Sequence, residues 1–100
     1  MGEGIALREL LLKGFAIQKW NSPEELPESV DIEAIEPITS KLQLIRVRSA
    51  VAPNIPEGLS SDLEGEMKIR AKNAGAEAWE AKVQLDSNLR QGTVSWRRLE

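Results

Sequence analysis

Carboxylates, lysines and arginines carry the chemistry open to this 100-residue chain, which contains neither histidine nor cysteine. Without imidazole, every triad built on a histidine base is excluded. Without thiol, so are thiolate nucleophiles, disulfides and thiolate-held zinc or iron–sulfur centres. What remains is a carboxylate pair, a desolvated lysine or a carboxylate-bound metal ion. Glu24/Glu28 and Glu33/Glu36 stand at helical spacings, but such pairs on a polar stretch are ordinarily solvated spectators. The glycines at positions 2, 4, 14, 58, 65, 75 and 92 form neither G-x-G-x-x-G nor G-x-x-x-x-G-K, so no phosphate loop is present. Asp62-Leu63-Glu64-Gly65-Glu66 is too short, and apolar at its second position, for an EF-hand loop. No catalytic, cofactor or metal site is assigned, and the chain is expected not to be an enzyme.

The basic residues form a second constellation. Lys68, Arg70 and Lys72 alternate with Met67, Ile69 and Ala71, and on a strand the two sets would point to opposite faces. Lys82, Arg46, Arg48 and Arg97 have the matching parity on neighbouring segments. Together they would make one basic sheet face, diluted by Glu66, Glu80 and Asp86. Phosphates bound there would release counterions. No aromatic interleaves the cations, however, and single-strand and RNA surfaces usually offer stacking platforms.

Those positions require particular elements. Leu7, Leu10, Leu11 and Leu12, with Arg8, Glu9 and Lys13 between them, predict an amphipathic N-terminal helix. Two continuations are open: the helix runs through Gly14 to about Trp20, carrying Phe15, Ile17 and Trp20 along its stripe, which is the reading favoured, or it stops at Gly14 and Phe15–Trp20 forms a short strand. Ser22-Pro23-Glu24-Glu25 reads as a helix start that Pro27 cuts to one turn. Residues 21–40 are therefore expected to be a punctuated acidic connector. Alternation from Leu42 to Val51 changes parity once, predicting a strand with a bulge near Leu44. Ile55–Glu64 reads as a loop. Three further strands follow as a meander: Met67–Lys72, Ala78–Asp86 and Thr93–Arg97. A three-residue turn closed by Gly75 would pair Lys72 with Ala76, Ile69 with Trp79 and Met67 with Ala81.

The net charge of −3 is unevenly spread. Residues 1–40 carry three bases against eight acids, and residues 41–100 carry ten against eight. The N-terminus lacks the basic start and apolar run of a secretory signal, and the absence of cysteine favours a reducing cytoplasm. No stretch approaches the roughly 20 apolar residues that span a bilayer. Leu99-Glu100 reads as an expression-vector remnant.

The expected architecture is a single α+β domain over residues 1–100. An N-terminal helix packs on a mostly antiparallel sheet of about four strands, with Leu7, Leu11, Ile69, Trp79, Val83 and Trp96 in one core. The expected function is a non-catalytic interaction module or assembly subunit, taking a protein partner or a second copy. The alternative is nucleic-acid binding through Arg46, Arg48, Lys68, Arg70, Lys72, Lys82 and Arg97, with no membrane partner and no cofactor.

Overall fold

The computed structural model describes residues 2–20, 30–88 and 91–99. Its elements are α1 (Glu3–Leu12), β1 (Ala16–Trp20), β2 (Ile32–Ile35), β3 (Leu42–Val51), α2 (Ser61–Ala74), β4 (Glu77–Leu85) and β5 (Gly92–Leu99). The strands form one five-stranded sheet in the order β1-β2-β3-β4-β5. All neighbours are antiparallel except β3 and β4, which run parallel and are joined through α2. The fold is α+β as expected, with a mixed sheet in place of an antiparallel one. No helix among the described residues is long and apolar enough to cross a membrane. The capping signature at Ser22–Glu25 falls outside the described residues.

The expected first helix stops early. Phe15 N–H reaches back to the Leu10 carbonyl at 3.0 Å, and Gly14 N–H to Leu11 at 3.1 Å. This is the paired closure of a Schellman motif, which needs a left-handed residue between them. Gly14 supplies it with φ 87°. The chain then leaves as strand β1, so Phe15, Ile17 and Trp20 continue no helical stripe.

The larger correction lies at residues 61–74, where a helix replaces the expected loop and strand. Met67, Ile69 and Ala71 do alternate with cations, but Leu63, Met67 and Ala71 also recur every four residues. Only the second pattern is buried: Met67 and Ala71 are in the core, whereas Ile69 is 63% exposed. The pairs Glu64–Lys68 and Glu66–Arg70, at 3.5 and 3.0 Å, brace the exposed side at the i, i+4 spacing of a helix. Ser60 Oγ caps the start by accepting from Leu63 N–H at 3.3 Å. Gly75 does take the left-handed conformation, at φ 66°, but as the end of α2 and not as a hairpin turn. Gly75→Ala should therefore destabilise the fold by about 1 kcal/mol, the cost of a Cβ in that region. Urea denaturation measures it, and an unchanged midpoint would mean that the helix end relaxes freely.

Helices lie on both faces of the sheet. Ala6 and Leu10 of α1 pack with Ile32, Ala34, Ile45, Val47, Ala81, Val83 and Leu85. Met67 and Ala71 of α2 pack on the other face with Val30, Leu44, Ala78 and Leu99. Double coverage explains why Gln43, Leu44 and Ile45 are buried in succession, which the sequence pattern suggests is a bulge. The β3–β4 register runs unbroken from Gln43↔Glu77 to Val51↔Leu85. Val83, Trp79, Trp96 and Leu7 join the α1-side core as expected, while Leu11 is 56% exposed. Leu99 is 5% exposed and closes the α2-side core opposite Ala78, so it is an integral residue of β5.

Candidate functional site

The α2 correction splits the expected basic face. Arg46 and Arg48 on β3, Lys82 on β4 and Arg97 on β5 keep a common parity. Arg46 lies opposite Glu80, and Glu80 opposite Arg97; Arg48 lies opposite Lys82. Lys68, Arg70 and Lys72 belong to α2 instead, where alternate residues diverge around the axis.

Acids hold most of these cations. Glu80 is wholly buried, and its Oε1 lies 3.2 Å from Arg97 Nε and 3.8 Å from Lys82 Nζ. Its Oε2 accepts from Leu59 N–H at 2.8 Å, tying down the segment before α2. Arg97 also pairs with Glu64. The Glu64 carboxylate raises the Arg97 pKa, and Arg97 in turn lowers that of Glu64. The middle of this face is therefore a closed ion-pair network.

A more open arrangement lies at the far end of β3. The β2–β3 register ends at Ile32↔Ile45, while β3 runs on beside β4 to Val51. Asp31, just before β2, covers the first step beyond that register. Its Oδ2 accepts from Val47 N–H at 2.7 Å, and its Oδ1 lies 3.5 Å from Arg46 Nη1. Burial pushes the Asp31 carboxyl above the usual carboxylate range; Val47 N–H and Arg46 oppose that rise, and Glu3 adds to it. Beside these groups opens a cleft of about 450 Å³, lined by Glu3 from α1, by Val47–Ala50 of β3, and by Ile55 and Glu57. Arg48 Nη2 faces the 89%-exposed Glu57 across 3.9 Å, a contact that an incoming anion can replace.

The cleft itself carries the Arg48 guanidinium and the Glu3 and Glu57 carboxylates, with the Asp31–Arg46 pair next to it through Val47. Arginine forks suit the paired oxygens of a phosphodiester. A carboxylate shifted upward by burial accepts a proton more readily than a solvated one. Magnesium can be held by one or two carboxylates when substrate phosphate supplies further oxygens, and Glu3 is such a carboxylate on the cleft wall. No cluster of three or more metal-ligating side chains occurs among the described residues. Sequence reasoning found Arg46 and Arg48 but missed Glu3, Asp31 and Glu57. Asp31 was hidden in an acidic stretch whose Ile32/Ala34 alternation was the available sign of a strand.

No protein-family model matches this sequence, and no curated protein matches it. A solved structure does: Archaeoglobus fulgidus Hjc, a Holliday junction resolvase from an archaeal hyperthermophile. The superposition covers 98% of this chain and 74% of Hjc, with a TM-score of 0.66. The fold is that of Hjc. At 23% identity, the likeness is one of fold. It overturns the expectation of a non-catalytic interaction module, and with it the inference that a chain lacking histidine and cysteine is not an enzyme.

Proposed function

We propose that this chain acts on nucleic acid as a nuclease, gripping a phosphodiester at the cleft lined by Arg48 and at the Asp31–Arg46 pair beside it. The observation that carries the reading is the placement of those three groups where β3 runs on past its register with β2, within a fold shared with a Holliday junction resolvase. The proposed substrate is DNA, branched DNA included. Arg46 and Arg48 hold the phosphate oxygens and stabilise the charge that develops as water attacks phosphorus. Asp31 takes the proton of that water, and the departing sugar oxygen is protonated from solvent.

The test compares wild type with Asp31→Asn on four-way junctions and on linear duplex, with magnesium present. Asparagine can still accept from Val47 N–H but cannot take a proton. Nicking should fall at least about a hundredfold, the lower end of what a positioned general base contributes. Binding should hold or strengthen, because a negative charge beside Arg46 is removed. If wild type binds neither DNA at low salt, the whole reading fails. If it binds but never nicks, the hydrolytic part fails.

A further inference from the structure

A second cavity, of about 520 Å³, opens at the other end of α1 and has no part in the chemistry above. Its walls include the rings of Phe15, Trp79 and Trp96, with Leu10 and the buried Ile45 behind them. Both indoles are held by carboxylates, Glu77 on the cavity wall and Glu9 of α1. Trp79 Nε1–H donates to Glu77 Oε1 at 3.2 Å, and Trp96 Nε1–H to Glu9 Oε1 at 2.7 Å. Lys13 Nζ also sits 5.6 Å over the Trp96 ring. The hydrogen bonds fix both indoles in place before any ligand arrives, so three aromatic rings stand ready on the cavity wall.

The polar groups restrict what can enter. Gln43 is 4% exposed and donates its Nε2–H to Glu77 Oε1 at 2.9 Å, so its carbonyl end is left to accept from a ligand. Glu36 and Glu77 also line the cavity, and their charge repels phosphate. A planar, uncharged heterocycle bearing N–H donors satisfies all three demands: aromatic faces, an amide acceptor and carboxylates. We propose that this cavity takes a nucleobase, unpaired and turned out of the nucleic acid that Arg46 and Arg48 hold by its backbone. The inference rests on the nuclease reading for the source of the base. Glu3 lines the cleft and Lys13 the cavity, so the two sites stand about 15 Å apart along α1 by its rise per residue. That is about four steps of a stacked strand.

The experiment has two arms. In the first, adenosine and cytidine are titrated into the ¹⁵N-labelled protein while the indole N–H resonances are followed. Trp79 and Trp96 should shift together in a saturable way, and Trp20, on β1, should stay still. In Ile38→Glu the shifts should vanish. Ile38 lines the cavity yet is 90% exposed, so its replacement leaves the fold intact, which the thermal midpoint verifies. In the second arm, binding is compared for a duplex carrying one unpaired base and its fully paired counterpart. Wild type should prefer the first by about tenfold, the size of one base–aromatic stack. Ile38→Glu should lose the preference, and Arg48→Gln should weaken both alike while preserving it. Silent Trp79 and Trp96 resonances, or equal shifts with N-acetyltryptophanamide, would overturn the base assignment while leaving the arginine cleft untouched. Nucleoside shifts with no binding of either duplex would sink the nuclease reading and leave a site for free nucleosides.

Discussion

Glutamine at both Arg46 and Arg48 should weaken duplex binding by roughly a hundredfold at low salt, since each charge-assisted hydrogen bond to phosphate contributes about 1.5–3 kcal/mol. The salt dependence provides an independent readout. Each phosphate neutralised on duplex DNA contributes about −0.9 to the slope of log K against log salt, so losing two should flatten it by about 1.8. Comparison with Lys68, Arg70 and Lys72 makes the result specific. Those three project from α2, two of them already paired with Glu64 and Glu66. Their triple replacement by glutamine should therefore cost less than the double replacement on β3, although it removes more charge. The reverse order would relocate the nucleic-acid surface to α2. Filter binding across a salt series is sufficient to decide.

Glu80→Ala should be the most damaging single change in the described ion-pair network. The carboxylate is wholly buried and serves Arg97, Lys82 and the Leu59 N–H together. Removing one member of a fully buried pair costs about 3–5 kcal/mol. Arg97 and Lys82 are 52% and 36% exposed, and water will solvate them once released. The expected loss is therefore about 2–3 kcal/mol, much of it from the stranded Leu59 N–H. Glu80→Gln keeps an acceptor for Leu59 and should recover about half. Urea unfolding measures both variants. A loss below about 0.5 kcal/mol, the scale of an unimportant surface change, would show that Glu64 alone satisfies Arg97. The same substitution should reach the cleft, because Leu59 lies two residues from Glu57. With that anchor gone, Glu57 loses its hold opposite Arg48, and phosphate meets less competition there.

Legibility in the sequence followed the reach of each signal. The alternation of Trp79, Ala81, Val83 and Leu85 is long enough to be unambiguous, and β4 and its pairing with β5 lie where it predicts. Six residues from Met67 to Lys72 were too few. Their period of two is real, but so is the period of four through Leu63, Met67 and Ala71, and only packing against Leu44 and Ala78 chooses between them. Gly75 illustrates the same limit: a left-handed glycine ends helices as well as hairpins, and its conformation was legible while its context was not. The cleft was half visible. Arg46 and Arg48 share a strand and a parity, which local sequence reveals. Asp31 joins them only because β2 pairs with β3 across the sheet, and Glu3 because α1 folds back over it. Long-range pairing of that kind leaves no local trace.

The parallel seam between β3 and β4 has a kinetic meaning. Gln43 and Glu77 lie 34 positions apart, whereas the β4–β5 hairpin joins Leu85 to Gly92 across a short turn. Closing the longer loop carries the greater entropic cost, and no contact across the seam offsets it until α2 has formed and shortened the path. Hairpins on either side can assemble independently, each on its own clock. The seam is thus the slow step of self-assembly, so the Asp31–Arg46 pair, set by the β2–β3 hairpin, is in place before α2 and β4 dock against it.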